Sequence, residues 1–361
     1  MDIIANPSDL VVGGVDTHKD VNVAAALNHI GAVLETRSFS TDARGHRDLI
    51  AWFLRFGRVT QIGIEGTGSY GAGLAAYCRR KGIAVVEVNR PNRQLRRLRG
   101  KSDPIDAIAA GRAVLSGEAR CIPKQRDGGV ESIRALQAAR NTAIKAAVQT
   151  ENTMRCLIVS APSSLRSLLI HLPFERQLSL ASRFRPGNVI DPLEATKFAL
   201  RSCARRHLSL MEEVAVFDRQ IEDLVGQVAP PELMAMCGVG TQVAAKLLVA
   251  VGDNPDRMTS EAQFAALCGV SPMDCSSGKH QRHRLNRGGN RDANSALWRI
   301  AFTRRIHDPQ TRAYIERRKQ QGKTDREITR CLKRYIARSV FKVLQMHHQR
   351  QEPVIPEVLI A

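Results

Sequence analysis

The first ninety residues alternate short apolar runs with polar turns, a pattern typical of a sheet covered by helices. Apolar spacing predicts helices over residues 43–56 and about 70–81. The last two strand runs flank the second helix, which indicates a parallel strand–helix–strand unit. Five runs predict strands: 11–16, 21–27, 32–39, 61–65 and 83–88.

A further helix is predicted to begin at Asp103-Pro104 and to end near Leu115, with Asp103 as its N-cap. Three leading strands followed by strand–helix–strand elements are in the order of an RNase H-like mixed sheet. We therefore predict an α/β domain over residues 1–125, closed by a polar break at 121–129.

The middle of the chain predicts a helical coiled-coil region over residues 126–230. One long helix begins near residue 130, with Arg140 interrupting its apolar stripe, and a second begins at Asp191-Pro192. The second helix has a narrow seam that needs a partner helix, either the first long helix or a second subunit in a dimer or tetramer. The seam consists of Leu210, Val214, Phe217, Ile221, Leu224 and Val228.

Positive charge is concentrated in the predicted third domain, residues 231–361. Between Ser276 and Arg350 there are 20 Lys and Arg against 5 Asp and Glu, a net charge of +15. The whole chain carries +19, so the other 286 residues carry only +4. Charge gathered in this way indicates a surface that binds a polyanion. The candidate contacts are Lys279, Arg282, Arg284, Arg287 and Arg291.

The third domain opens with a Gly-x-Gly turn, Gly238 to Gly240, that leads into an apolar helix. This pattern resembles a helix-hairpin-helix, whose exposed amides at a helix N-terminus hold a DNA phosphate. The alternative is an ordinary helix–helix turn that needs glycine for a positive φ angle.

Composition narrows the class of protein further. No apolar run approaches the ~20 residues of a membrane-spanning helix, and the N-terminus lacks the pattern of a signal peptide. We therefore expect a cytoplasmic protein without a membrane partner. Aromatic residues make up only 4% of the chain, too few for base stacking to be the main means of recognition.

The eight scattered cysteines predict reduced thiols and no disulfide framework. One group, Cys268, Cys275, His280 and His283, has ligands that zinc accepts, but its spacing fits no standard zinc module.

Four carboxylates are candidates for a metal site. Asp16 and Glu65 each end an apolar strand, while Asp103 and Asp106 are three residues apart at a helix start and so share one face. Each acid alone has an ordinary explanation, as a strand end, a cap or a first-turn acid. Together they match the oxygen ligands of two divalent cations about 3.5–4 Å apart, which clamp both sides of a phosphodiester.

Several motifs, in order along the chain, resemble the DEDD transposases of bacterial insertion sequences, which are bridge-RNA-guided recombinases. The acidic motifs are VDTHKD, IEGTGSYG and KSDPIDAIAAGR, and the C-terminal motifs are GVGTQVAAKLLVAVGD, FAALCGVSP, SSGK and RGGN. The resemblance implies that the first domain is RuvC-like, that Asp16, Glu65, Asp103 and Asp106 bind Mg²⁺ and that Ser277 is the nucleophile.

The same resemblance implies a serine–DNA covalent intermediate, a tetramer that combines one subunit's carboxylates with another's serine, and a non-coding RNA that pairs with donor and target DNA. The doubled serine leaves Ser276 as a competing nucleophile. Two rival functions remain open. One is a metal-dependent nuclease on branched DNA that forms no adduct, and the other is a scaffold that binds nucleic acid without catalysis.

Overall fold

The computed structural model describes residues 10–88, 102–278 and 283–351. These residues form two compact units. The described residues of the first unit lie within Met1–Asp127 and Val251–Thr259, and those of the second lie within Gly128–Ala250 and Ser260–Ala361. The predicted boundary at 125/126 falls two residues from the first break, and the further division at 230/231 stays a prediction. No helix in the described ranges is both long and apolar enough to cross a membrane.

The first unit is built on a five-stranded mixed sheet in the order β3-β2-β1-β4-β5. The first three strands pair antiparallel, whereas β4 and β5 continue the sheet parallel to β1. All five predicted strands are confirmed. Their bounds are β1 Leu10–Thr17, β2 Val21–Asn28, β3 Val33–Ser40, β4 Arg58–Glu65 and β5 Ala84–Val88.

Helices cover both faces of this sheet because its central strands are apolar on both sides. Helices α1 (Ala43–Leu54) and α2 (Ala72–Arg80) pack on the face that includes Val15 of β1 and Ile62 of β4. Helix α3 (Asp103–Leu115) packs on the opposite face, against residues such as Val12 and Val86.

A segment distant in sequence completes the first unit. The Asn254 side chain accepts a hydrogen bond from the Gln125 amide (2.9 Å) and donates one to the Pro123 carbonyl (3.2 Å). The buried Arg257 donates to the carbonyls of Ile122 and Val251, at 2.8 Å each. These bonds satisfy backbone groups of the polar break after α3, so residues 251–259 belong with the sheet.

Two long helices dominate the second unit, α4 (Gly129–Val159) and α7 (Pro192–Val228). They pack against each other, and the seam residues Val214 and Ile221 of α7 are buried within the single chain. Arg140 pairs with Asp218 through two hydrogen bonds of 2.6 and 3.1 Å, which explains the polar interruption of the α4 stripe. In the sequence, the two long helices are separated by α5 (Ser163–Leu169) and α6 (Phe174–Ser182).

The rest of the second unit is a group of shorter helices with one small hairpin. Glu261 links two of the helices through ion pairs to Arg334 (2.6 Å) and Arg338 (2.8 Å). The helices are α8 (Pro231–Met234), α9 (Thr241–Val251), α10 (Glu261–Leu267), α11 (Arg291–His307), α12 (Pro309–Gln320) and α13 (Asp325–Gln351). Strands β6 (Pro272–Asp274) and β7 (His283–Leu285) form the hairpin.

Candidate active site

The strand register brings two of the four carboxylates side by side. Strands β1 and β4 are parallel and Val15 pairs with Ile64, so Asp16 and Glu65 are the next residues at the same sheet edge. The Thr17 hydroxyl donates to the Glu65 carbonyl at 2.7 Å, which ties the two strand ends together. Residues paired in this way point to the same face of the sheet.

Two glycines identify that face and explain how α3 reaches it. A Cβ on Gly14 would lie 2.0 Å from the Ala107 carbonyl oxygen of α3, and one on Gly63 would lie 2.6 Å from Val114 Cγ2. Both glycines therefore face α3. Side chains two residues apart on a strand share a face, so Asp16 and Glu65 are also on the α3 side.

Helix α3 begins at that same edge and supplies the other two carboxylates. Asp103 lies in its first turn and is half exposed, whereas Asp106 is buried with 2% of its surface exposed. The prediction that Asp103 caps the helix is wrong, because the N-cap residue is Ser102. The Asp103 carboxylate is thus one residue inside the helix.

The electrostatics of Asp16 reflect this convergence. Burial is the largest influence and raises the pKa of Asp16 above its usual value. His18 acts in the opposite direction, and the carboxylates of Asp106 and Asp103 raise the pKa further. Like charges act on each other in this way when they lie close together. A divalent cation relieves such repulsion, so the donor set of clustered carboxylate oxygens fits Mg²⁺.

His18 also belongs to this cluster, although the sequence reasoning did not select it. Its Nε2 lies 3.2 Å from Asp16 Oδ2 and 3.4 Å from Asp103 Oδ1. Ligand atoms of these three residues all lie within 4.8 Å of one another, close enough to surround one ion. The sequence did contain one indication of this role, because His18 lies two residues after Asp16 in the VDTHKD motif.

The candidate serines lie in the second unit, on the hairpin of β6 and β7. Asp274, at the end of β6, accepts hydrogen bonds from both the amide (2.9 Å) and the hydroxyl of Ser276. These bonds lower the pKa of Asp274. Ser277 is exposed, and Gly278 after it has a φ of +56°, a value that favours glycine.

Two family models match the chain, in order along its length. A DEDD transposase model, DEDD_Tnp_IS110, covers residues 13–161, and a model of the IS116/IS110/IS902 transposase family covers residues 231–316. This chain belongs to the IS110 family of transposases. All four candidate carboxylates lie in the first match, and both serines lie in the second.

A relative from Streptomyces coelicolor supports the same membership. It is described as an uncharacterized 43.6 kDa protein of insertion element IS110 and is 38% identical over 117 residues. That match covers 32% of this chain and 28% of the relative, so it spans less than a third of the relative's length.

The Gly-x-Gly turn of this IS110-family chain has a clear packing role. Gly238 has a φ of +85°, and a Cβ there would lie 3.1 Å from the Ile300 backbone of α11. A Cβ on Gly240 would meet no atom within 4 Å, so its surroundings are open at the start of α9. Phosphate binding by this turn stays a prediction.

The predicted basic contacts that the structure describes are all exposed: Arg284 on β7, Arg287 in the following loop and Arg291 at the start of α11. Gly289 of the RGGN motif packs so closely on Gly269 that a Cβ would lie 2.2 Å from its amide nitrogen. Asn290 then caps α11, accepting from the Ala293 amide at 2.9 Å. Lys279 and Arg282 lie outside the described residues.

The zinc alternative rests on residues with different surroundings. Cys268 is fully buried, which raises the pKa of its thiol to about 12 and disfavours the thiolate that zinc requires. Cys275 and His283 are exposed, and His280 lies outside the described residues.

Proposed function

We propose that this protein cuts and rejoins DNA strands as the recombinase of its insertion element, in the bacterial cytoplasm. The RNase H-like first unit would hold two Mg²⁺ ions with Asp16, Glu65, Asp103 and Asp106. The observation that carries this is the meeting of two strand ends and one helix start on a single face of the sheet. Bound Mg²⁺ would stabilise negative charge on the phosphate under attack.

In the proposed reaction Ser277 supplies the nucleophile. Its Oγ forms a bond to phosphorus, the bond from phosphorus to one DNA oxygen breaks, and the serine proton ends on that oxygen. A hydroxyl of a second DNA strand then reverses the step and restores the serine. Ser277 is preferred because it is the serine directly before glycine in SSGK, as the family resemblance implies, whereas the hydrogen bond from Ser276 to Asp274 keeps Ser276 as the competing nucleophile.

The partners are also part of the proposal. Donor and target DNA would be paired by a non-coding guide RNA, which accords with the high positive charge and the low aromatic content of the chain. A second subunit would supply the serine to the carboxylates, with the helical pair of α4 and α7 contributing to a dimer or tetramer.

The test is a search for a covalent adduct between the protein and DNA. The full chain, its cognate DNA and RNA, and Mg²⁺ are expected to give a product that survives denaturation. Ser277→Ala and added EDTA should each abolish it, whereas Ser276→Ala should retain it. Adduct formation by Ser277→Ala would refute the assignment, and Mg²⁺-dependent cleavage without any adduct would establish the nuclease alternative instead.

A further inference from the structure

Helix α11 presents two aromatic rings to solvent. Trp298 and Phe302 are 44% and 45% exposed, and their rings stack with centroids 5.3 Å apart and planes 20° from parallel. The opposite side of the helix buries Leu297 and Ile300 in the core, so exposing the rings is not needed for packing. Exposed rings of this kind are the groups on which an unpaired base can stack.

A pocket with a basic rim lies directly beside Trp298. It has a volume of about 380 Å³ and is lined by Arg287, Arg291, Asn286 and Ser295 as well as by the tryptophan. Among the described residues, neither Arg287 nor Arg291 forms an ion pair. The pocket thus combines one flat apolar wall with two exposed cationic groups that an anionic ligand could reach.

The charge around the rings favours a nucleic acid over a protein partner. The Arg299 guanidinium lies over the Trp298 ring, 5.8 Å from its centre, so a further cation accompanies the exposed aromatic surface. If a second copy of the chain docked through this same face, the arginines of the two copies would face and repel each other. A nucleotide offers what the pocket lacks, a flat base for the ring and phosphates for the guanidinium groups.

We propose that this pocket binds one unpaired nucleotide of a single strand, with its base stacked on Trp298 and its flanking phosphates paired with Arg287 and Arg291. The inference deepens the proposed function, because such a strand would be part of the guide RNA or of the DNA being exchanged. It also adds a local stacking site to a chain whose overall aromatic content is low.

The chain provides its own reporter for this test. It contains two tryptophans, and Trp52 is buried with 2% of its surface exposed. A base that stacks on Trp298 should therefore quench the fluorescence of Trp298 and leave that of the buried Trp52. The full chain, in EDTA, is titrated with a short oligouridylate, the matching oligothymidylate and a short duplex. Quenching by a single strand is expected, and tighter binding of one strand identifies RNA or DNA as the source.

Trp298→Leu should abolish the quenching and weaken single-strand binding by about 5- to 150-fold, the range for one stacked base. Its affinity for the duplex should be unchanged, and Trp298→Phe should retain most single-strand binding. Phe198→Leu, which removes a ring of similar exposure on α7, is the matched control and should bind normally. Quenching that persists in Trp298→Leu, or an unchanged single-strand affinity, would overturn the proposal.

Light scattering addresses the rival occupant. If Trp298→Leu changed the oligomeric state and left single-strand affinity intact, the face would be a protein interface and the proposal wrong. Asp106→Asn separates this inference from the proposed function, because it should strongly lower recombination while quenching stays normal. Normal quenching by the unaltered protein, together with failure of that same protein in the adduct test, would refute the recombinase and leave the nucleotide pocket standing.

Discussion

The carboxylate cluster and the basic hairpin are held by very different kinds of structure. Asp16 and Asp106 are 6% and 2% exposed, fixed by a helix that lies almost in contact with the sheet backbone. Ser277, Arg284 and Arg287 are exposed on a short hairpin and its loop. The first arrangement exists before any substrate binds, whereas the second offers exposed charge that, under the proposed function, a nucleic acid would organise. Each unit can therefore be disabled without the other.

The largest expected effect is on chemistry in the first unit. Asp106→Asn removes a buried charge from the cluster and is expected to lower strand transfer by about 100- to 1,000-fold, the usual loss for one group that stabilises transition-state charge. DNA affinity, measured by fluorescence anisotropy, should hold. Asp20→Asn, which changes an exposed acid of the same VDTHKD motif, is the control and should stay active. An equal loss of strand transfer in both variants would contradict the assignment of Asp106 to the metal site.

Metal binding should be visible as stability, without any activity assay. The clustered carboxylates repel one another in the absence of an ion, so Mg²⁺ at about 100 times its dissociation constant should stabilise the first unit by about 2.7 kcal/mol. Asp16→Asn should raise the melting temperature in EDTA and abolish the gain from Mg²⁺. A variant that is less stable in EDTA and still gains from Mg²⁺ would show that Asp16 neither repels its neighbours nor binds the ion.

The close fit of helix on sheet gives a third test of the contrast. Gly14→Ala places a methyl group 2.0 Å from a backbone oxygen of α3, and we expect a loss of about 1–3 kcal/mol, as for other overpacked sites. The displaced helix start should also weaken Mg²⁺ binding. Gly226→Ala, in the exposed last turn of α7 where a Cβ meets nothing within 4 Å, should instead stabilise the chain by up to about 0.5–1 kcal/mol. Similar destabilisation by both changes would contradict the packing argument.

Local pattern predicted the elements of the first unit well because its strands and helices follow simple periodicity. It also selected Asp16 and Glu65, since acids that end parallel strands of one sheet share an edge. It did not select His18, whose contact with Asp103 exists only after α3 has docked. It could not assign residues 251–259 to the first unit either, because hydrogen bonds such as that from Gln125 to Asn254 span more than a hundred residues.

In the second unit, sequence identified the region of charge and left its geometry open. The seam of α7 gave two possible partners, and the structure shows that α4 fills that role within the chain. The number of aromatic residues in the sequence could not single out Trp298. The role proposed for this residue depends on its exposure beside Arg287 and Arg291, which only the structure reveals. Position on a surface, unlike a strand or helix, has no local sequence signature.

The smallest expected effect distinguishes phosphate contact from general charge in the second unit. If Arg284 contacts a DNA phosphate, Arg284→Gln should lower the slope of log affinity against log salt by about 0.9, because one fewer counterion is released on binding. The loss should be equal for cognate and unrelated duplexes, since phosphates carry no sequence. Arg44→Gln removes an equal charge from an exposed site on α1 in the first unit. Anisotropy titrations at several salt concentrations measure both slopes, and if the two variants fall together, only net charge matters and the exposed hairpin has no defined contact.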